Sequence, residues 1–238
     1  MIASVINAVL VLLGGAFGVV FKSRIKERYS KTIFSGLSLC VLVIGMTSAV
    51  KTEDTLCVII SMVIGTFLGE LLRIEDRLNG LGNTIKVKVM KNRDSGKFTE
   101  GFMTATLMFC IGSMAIMGSM EAGINGDYSI ILSKSVIDCI SAVTFAAAMG
   151  IGVCFSALPI LLYQGMLTLL ARQIGPFLPE AMVIEMSAVG GLLIIGLALN
   201  MLEVLGDDKR IPVGNMLPGI FLPIVYIPLT NLLSGFLG

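Results

Sequence analysis

The chain has 238 residues, 55% hydrophobic and only 14% charged, with 17 Lys and Arg against 16 Asp and Glu and no His. Soluble domains carry roughly a quarter of their residues as charge, and the mean hydropathy here is +0.94. Composition therefore excludes an ordinary soluble fold, a basic nucleic-acid-binding surface and any histidine-based metal or acid–base chemistry.

Apolar runs of about 20 residues, each able to cross a hydrocarbon core of roughly 30 Å, fall near 3–21, 33–50, 55–72, 101–119, 130–153, 157–172, 181–203 and 212–236. The expected fold class is an all-α membrane protein of about eight transmembrane helices, a single membrane domain over 1–238. Met1 enters the first run without a basic leader region, and no small-residue cleavage site closes it, so the run reads as a span rather than a signal peptide. As one helix, Ile130–Arg172 would be about 65 Å long at 1.5 Å per residue. Pro159, behind Ser156 and Ala157, offers the turn that makes two spans of it. The five cysteines all lie in apolar runs, as packing residues rather than a disulfide framework.

Basic residues are retained on the cytoplasmic side of a membrane. Lys22, Arg24, Lys26, Arg28 and Lys31 follow the first span, Arg73, Arg77, Lys86, Lys88, Lys91, Arg93 and Lys97 the third, and Lys209 and Arg210 the seventh. Of the 17, only Lys51, Lys134 and Arg172 fall on the other side, which predicts both termini outside. A seven-span reading, with the Asp207–Arg210 loop outside, ranks second. Segment 73–100 is the one sizeable extramembrane piece. Ile74, Leu78, Leu81, Ile85 and Val89 give it a helical face, which fits an interfacial helix on anionic headgroups or a basic linker that fixes topology.

Ser4-Val5-Ile6-Asn7, followed by Gly18-Val19-Val20-Phe21, returns as Ser135-Val136-Ile137-Asp138, followed by Gly152-Val153-Cys154-Phe155. Two halves, about 1–120 and 130–238, are expected to form a parallel internal repeat, because spans 1–4 and 5–8 enter the membrane in the same sense.

Polar groups inside a membrane are costly, so each needs a partner or a purpose. Asn7 and Asp138 hold equivalent places in the repeat, and Lys134 lies one turn before Asp138. Two readings stand: a self-satisfied Lys134–Asp138 pair near the interface, or a carboxylate and an amide that face one another and handle an ion or a proton. In span 4, Gly112, Ser113, Gly118 and Ser119 favour close helix packing or a break that bares backbone groups. Span 8 carries Pro212, Pro218, Pro223 and Pro228, so it is predicted to be kinked or discontinuous, with Asn215 beside the break as a lining residue. Glu70 and Arg73 are expected to pair at the inner end of span 3. Gln164 in the middle of span 6 has no local partner, and Glu185 lies about one turn into span 7, where the interface alone does not explain it. The candidate pathway residues are Asn7, Ser113, Asp138, Gln164, Glu185 and Asn215.

Gly65–Glu75 (GTFLGELLRIE), Phe109–Ser119 (FCIGSMAIMGS), Lys134–Ser156 (KSVIDCISAVTFAAAMGIGVCFS), Gln164-Gly165 and Gly214–Pro218 (GNMLP) carry a resemblance. Through them the chain resembles the YdfK/YqgA-type bacterial inner-membrane proteins, a family defined as a domain of unknown function. The resemblance implies a multi-span protein of the bacterial inner membrane, of a kind sometimes described as a transporter, and no binding or catalytic residue can be carried over from it. The start Ser4–Asn7 departs from the Gly-Thr-x-x-Asn pattern of that family but keeps its Asn.

The expected function is a channel or secondary transporter for a small ion or metabolite. There is no nucleotide-binding loop, and no cofactor or metal is expected. Without histidine, an intramembrane enzyme would have only carboxylates as general bases, so the chain is read as non-enzymatic. The competing reading is a structural or assembly component of a membrane complex. The lipid bilayer is the expected environment, a small ion or solute the expected partner, and a homo-oligomer is compatible with either reading.

Overall fold

The computed structural model describes residues 1–22, 27–80, 84, 98–204, 206 and 209–237. Several basic residues that set the predicted orientation, and the Leu81, Ile85 and Val89 part of the predicted interfacial face, lie outside the described residues. Among the described residues there is no strand. Hydrocarbon offers backbone groups no partner, and helices satisfy them internally. The elements are α1 (Ile2–Lys22), α2 (Glu27–Ala49), α3 (Thr55–Leu72), α4 (Phe98–Cys110), α5 (Ser113–Ile124), α6 (Ser129–Met149), α7 (Gly152–Phe155), α8 (Ala157–Ile174), α9 (Glu180–Met201), α10 (Val213–Met216) and α11 (Pro223–Leu237). Two compact units divide the chain, Met1–Leu39 with Leu78–Gly175, and Cys40–Arg77 with Pro176–Gly238.

In the first unit α1 and α6 run parallel and in backbone contact. Ala3 clusters with Ile131, Gly14 faces Cys139, and Gly18 faces Val143, so position numbers rise together along both helices. A Cβ on Gly14 would stand 2.4 Å from the Cys139 carbonyl oxygen, and one on Gly18 2.2 Å from that of Val143. Only glycine permits this approach.

Span 4 is broken into α4 and α5, bent by 57°. The break turns on Gly112, whose φ of +128° is open only to glycine. This pair follows α6 and its C-terminal turn from one end to the other, as a single crossing does. Phe98 meets Phe155 at 5.5 Å, Phe109 meets Phe145 at 6.3 Å, Gly101 faces Met149, and Gly118 faces Ile131. Among the described residues seven helices are long and apolar enough to cross a membrane, and the bent α4–α5 pair makes up to eight.

The reversal between α6 and α8 comes slightly before the predicted Pro159. Gly150, at φ +92°, ends α6, and Gly152–Phe155 makes a single turn of helix. Pro159 is the third residue of α8, within the first turn, where the missing N–H has no helical partner to lose.

In the second unit α9 is buried along nearly its whole length. The last part of α2 packs against it antiparallel: Gly45 faces Ile195, and a Cβ on Gly191 would sit 2.6 Å from the Ala49 nitrogen. The last span is discontinuous, as its prolines predict. It consists of α10, a 3-10 turn over Leu217–Phe221, and α11 with Pro228 inside it.

Candidate functional site

The first unit buries one ionic cluster. Asp138 and Lys134, one turn apart on α6, form a salt bridge at 5% and 6% exposure. Across the glycine-lined contact α1 brings Asn7, which donates through Nδ2 to Asp138 Oδ2 at 3.1 Å and to Gln164 Oε1 of α8 at 3.0 Å. One turn earlier on α1, Ser4 meets Thr168 of α8 at 3.3 Å. Lys134 Nζ also lies 5.9 Å from the centroid of the Phe109 ring on α4, within cation–π range. Phe109 is one residue before Cys110, where α4 stops, so the break of span 4 adjoins the ion pair.

The orientation of both amides follows from the carboxylate. An ionised Asp accepts only, so Asn7 must present Nδ2 to it. Gln164 must then offer Oε1 to that same Nδ2. The sequence of constraints ends in two buried atoms without a hydrogen-bond partner, Asn7 Oδ1 and the Gln164 Nε2 donor, on side chains with 0% exposure. A buried polar group left unpaired costs about 1–3 kcal/mol, so this network is incomplete as it stands.

The second unit holds two other polar centres. At one end of α9, Glu185 accepts from Thr52 Oγ1 at 2.6 Å, Glu53 N–H at 2.7 Å and Asp54 N–H at 3.1 Å. It thus anchors the turn between α2 and α3, where Asp54 also caps α3 through the Cys57 N–H at 3.0 Å. At the other end of α3, Asn215 accepts from the Glu75 N–H at 2.7 Å and donates to Glu70 Oε2 at 2.6 Å. The Gly214 N–H donates to Glu75 Oε2 at 2.6 Å. A Cβ on Gly69 would stand 1.8 Å from the Asn215 carbonyl oxygen, so α3 and α10 touch backbone to backbone here. Arg73 ends α3 in a left-handed conformation at φ +48°, its N–H donating to the Glu70 carbonyl.

The family model described as "Protein of unknown function (DUF554)" matches residues 2–227. The chain belongs to this DUF554 family. It is 29% identical over 231 residues to the "Uncharacterized membrane protein YdfK" of Bacillus subtilis (strain 168), covering 95% of this chain and 96% of that protein. It is 31% identical over 220 residues to the "Uncharacterized protein YqgA" of Escherichia coli (strain K12), covering 91% and 92%. No solved structure matches.

The segments that carry the DUF554 resemblance sort into the two units. Phe109–Ser119, Lys134–Ser156 and Gln164-Gly165 surround the Asp138 cluster, while Gly65–Glu75 and Gly214–Pro218 form the Asn215 centre. Among the candidates read from the sequence, Asn7, Lys134, Asp138 and Gln164 come together. Asn215 joins Glu70, with Arg73 at the same helix end. Glu185 stands alone as the anchor of the α2–α3 turn, and Ser113 is the half-buried first residue of α5 after the break. Thr52, Glu75, Ser4 and Thr168 were missed. Glu75 lies within Gly65–Glu75 and was within reach. Thr52 and Thr168 carried no signal beyond being polar in or beside an apolar run.

Proposed function

We propose that this DUF554 protein is a secondary transporter or channel for a small ion or solute in the bacterial cytoplasmic membrane, with both termini outside and no catalytic activity. The observation that carries the reading is the Lys134–Asp138 pair with Asn7 and Gln164, buried on three spanning helices. Ionisable groups at such depth are costly and mark substrate or ion pathways. The break of span 4 beside the pair supports the same reading, since irregular backbone at membrane depth is tolerated where it lines a cavity or is covered by protein. A parallel duplication belongs to the proposal. The repeat-equivalent residues Asn7 and Asp138 hydrogen-bond to each other between parallel helices, and the fourth span of each half is broken.

The test is uptake of ions, small anions and neutral metabolites by proteoliposomes holding the purified protein. Flux of at least one class above protein-free vesicles is expected. Absence of flux across all three classes would overturn the proposal in favour of a structural role.

A further inference from the structure

We infer that the Asp138 cluster is a site for a small monovalent anion of carboxylate type, and that the anion moves together with one proton carried by Asp138. This inference rests on the transport reading above and names its substrate class and coupling ion.

The argument begins with the donor inventory. Lys134 Nζ and Asn7 Nδ2 both point at Asp138 Oδ2, and the Gln164 Nε2 donor is buried without an acceptor. An ammonium and two amide N–H groups repel a metal cation and suit an anion. The position between them is filled by the carboxylate of Asp138 itself, which accounts for the closed packing: the chain supplies its own occupant. A second carboxylate can take that place only if Asp138 gives it up.

Protonation does this with charge conserved. Asp138 takes one proton and becomes a neutral acid, and the ion pair with Lys134 breaks. The ammonium then pairs with the incoming anion, and the Gln164 N–H donates to that anion, gaining the acceptor it otherwise lacks. On release the anion leaves, the proton departs from Asp138 to water, and the Lys134–Asp138 pair reforms. One anion and one proton cross together, with no net charge moved. The groups facing Asp138 are compatible with this cycle. α6 contributes Lys134, and α1 and α8 present the non-ionising Asn7 and Gln164. From α4 the Cys110 thiol lies within electrostatic reach of both Asp138 and Lys134, and Tyr163 of α8 within electrostatic reach of Cys110. No second carboxylate acts on Asp138 among the described residues.

The experiment uses the full chain in proteoliposomes loaded with a pH-sensitive dye, with inward gradients of formate, lactate, nitrate and chloride against protein-free vesicles. Nitrate and chloride do not cross lipid as neutral acids, so they separate carrier-mediated proton uptake from leakage. Expected is internal acidification driven by formate or lactate beyond that in protein-free vesicles, at a rate indifferent to a potential imposed with potassium and valinomycin; nitrate or chloride flux without carboxylate flux overturns the carboxylate class. In Asp138→Asn the anion flux should persist while acidification is lost and the flux becomes sensitive to that potential. In Gln164→Leu the concentration for half-maximal flux should rise about tenfold or more, as for loss of a hydrogen bond to a charged group. Wild-type anion flux that responds to the potential overturns the coupling. Flux of cations or neutral solutes without anion flux overturns the substrate class while leaving transport standing. No flux of any solute overturns the transport reading itself. The potential test needs only wild-type protein, so it decides even if Asp138→Asn does not fold.

Discussion

Replacing Lys134 with Met removes one member of a pair whose partners are 6% and 5% exposed and leaves Asp138 with Asn7 as its remaining hydrogen-bond donor. An unpaired buried carboxylate does not stay charged at any cost, because it can bind a proton instead. Near pH 7.5 an Asp is about 3.6 units above its ordinary pKa, so protonation costs about 5 kcal/mol, and near pH 5.5 about 2 kcal/mol. That sets a ceiling on the damage, and the Asn7 bond brings the true figure below it. The sign follows from proton binding: folded Lys134→Met holds a proton that its unfolded chain releases, so its stability falls as pH rises. Removing both charges in Lys134→Met/Asp138→Leu should return to within about 2 kcal/mol of wild type, since apolar replacement of a whole buried pair is often close to neutral. Equilibrium unfolding by SDS in mixed micelles reads wild type and both variants. A Lys134→Met cost under about 1 kcal/mol near pH 7.5, or one independent of pH, would refute the assignment of this pair as buried and mutually dependent.

Gly14→Ala should lose about 1–3 kcal/mol through its clash with the Cys139 carbonyl, whereas Gly36→Ala, with open space around it, should be stable or gain about 0.5–1 kcal/mol; thermal unfolding in detergent compares them. Asn215→Asp should destabilise more than Asn215→Ala in the same assay, because it sets a carboxylate against Glu70 and removes the donor between them. Asp127, exposed in the turn before α6, is held below the usual carboxylate range by hydrogen bonds from the Ser129 hydroxyl and N–H. Its stabilisation is present above the ordinary Asp pKa and lost as pH falls through the lowered value, so Asp127→Ala should lower the Tm at neutral pH and not at strongly acidic pH. Cysteine introduced at Asn125 should react with a membrane-impermeant reagent from the same side as one at Lys51, as a single-crossing α4–α5 requires; labelling from opposite sides would make that pair a re-entrant loop.

The spans were legible in the sequence because hydrocarbon imposes a length on them, and the breaks because proline and glycine announce them at Pro218, Pro223 and Gly112. The contact between Asn7 and Asp138 was one of two readings of the similar segments Ser4–Asn7 and Ser135–Asp138, and the structure holds it together with the other, the Lys134–Asp138 pair. Gln164 as their third partner was not, since nothing in a single sequence says which face of span 6 meets span 1. Glu185 stood out as a lone acid in an apolar helix, yet its partners are backbone N–H groups of a turn more than a hundred residues away, and backbone donors leave no trace in composition. The exact reversal between α6 and α8 was obscured because Pro159 is the louder signal, while the turn depends on the φ of Gly150.

The central claim is that the buried cluster of the first unit lies on a transport pathway. Its most direct test is solute flux through wild type and Gln164→Leu, reconstituted side by side and normalised to folded protein. The account predicts flux in wild type and, at solute concentrations below half-saturation, a rate at least about tenfold lower in the variant. Equal rates in the two would contradict it.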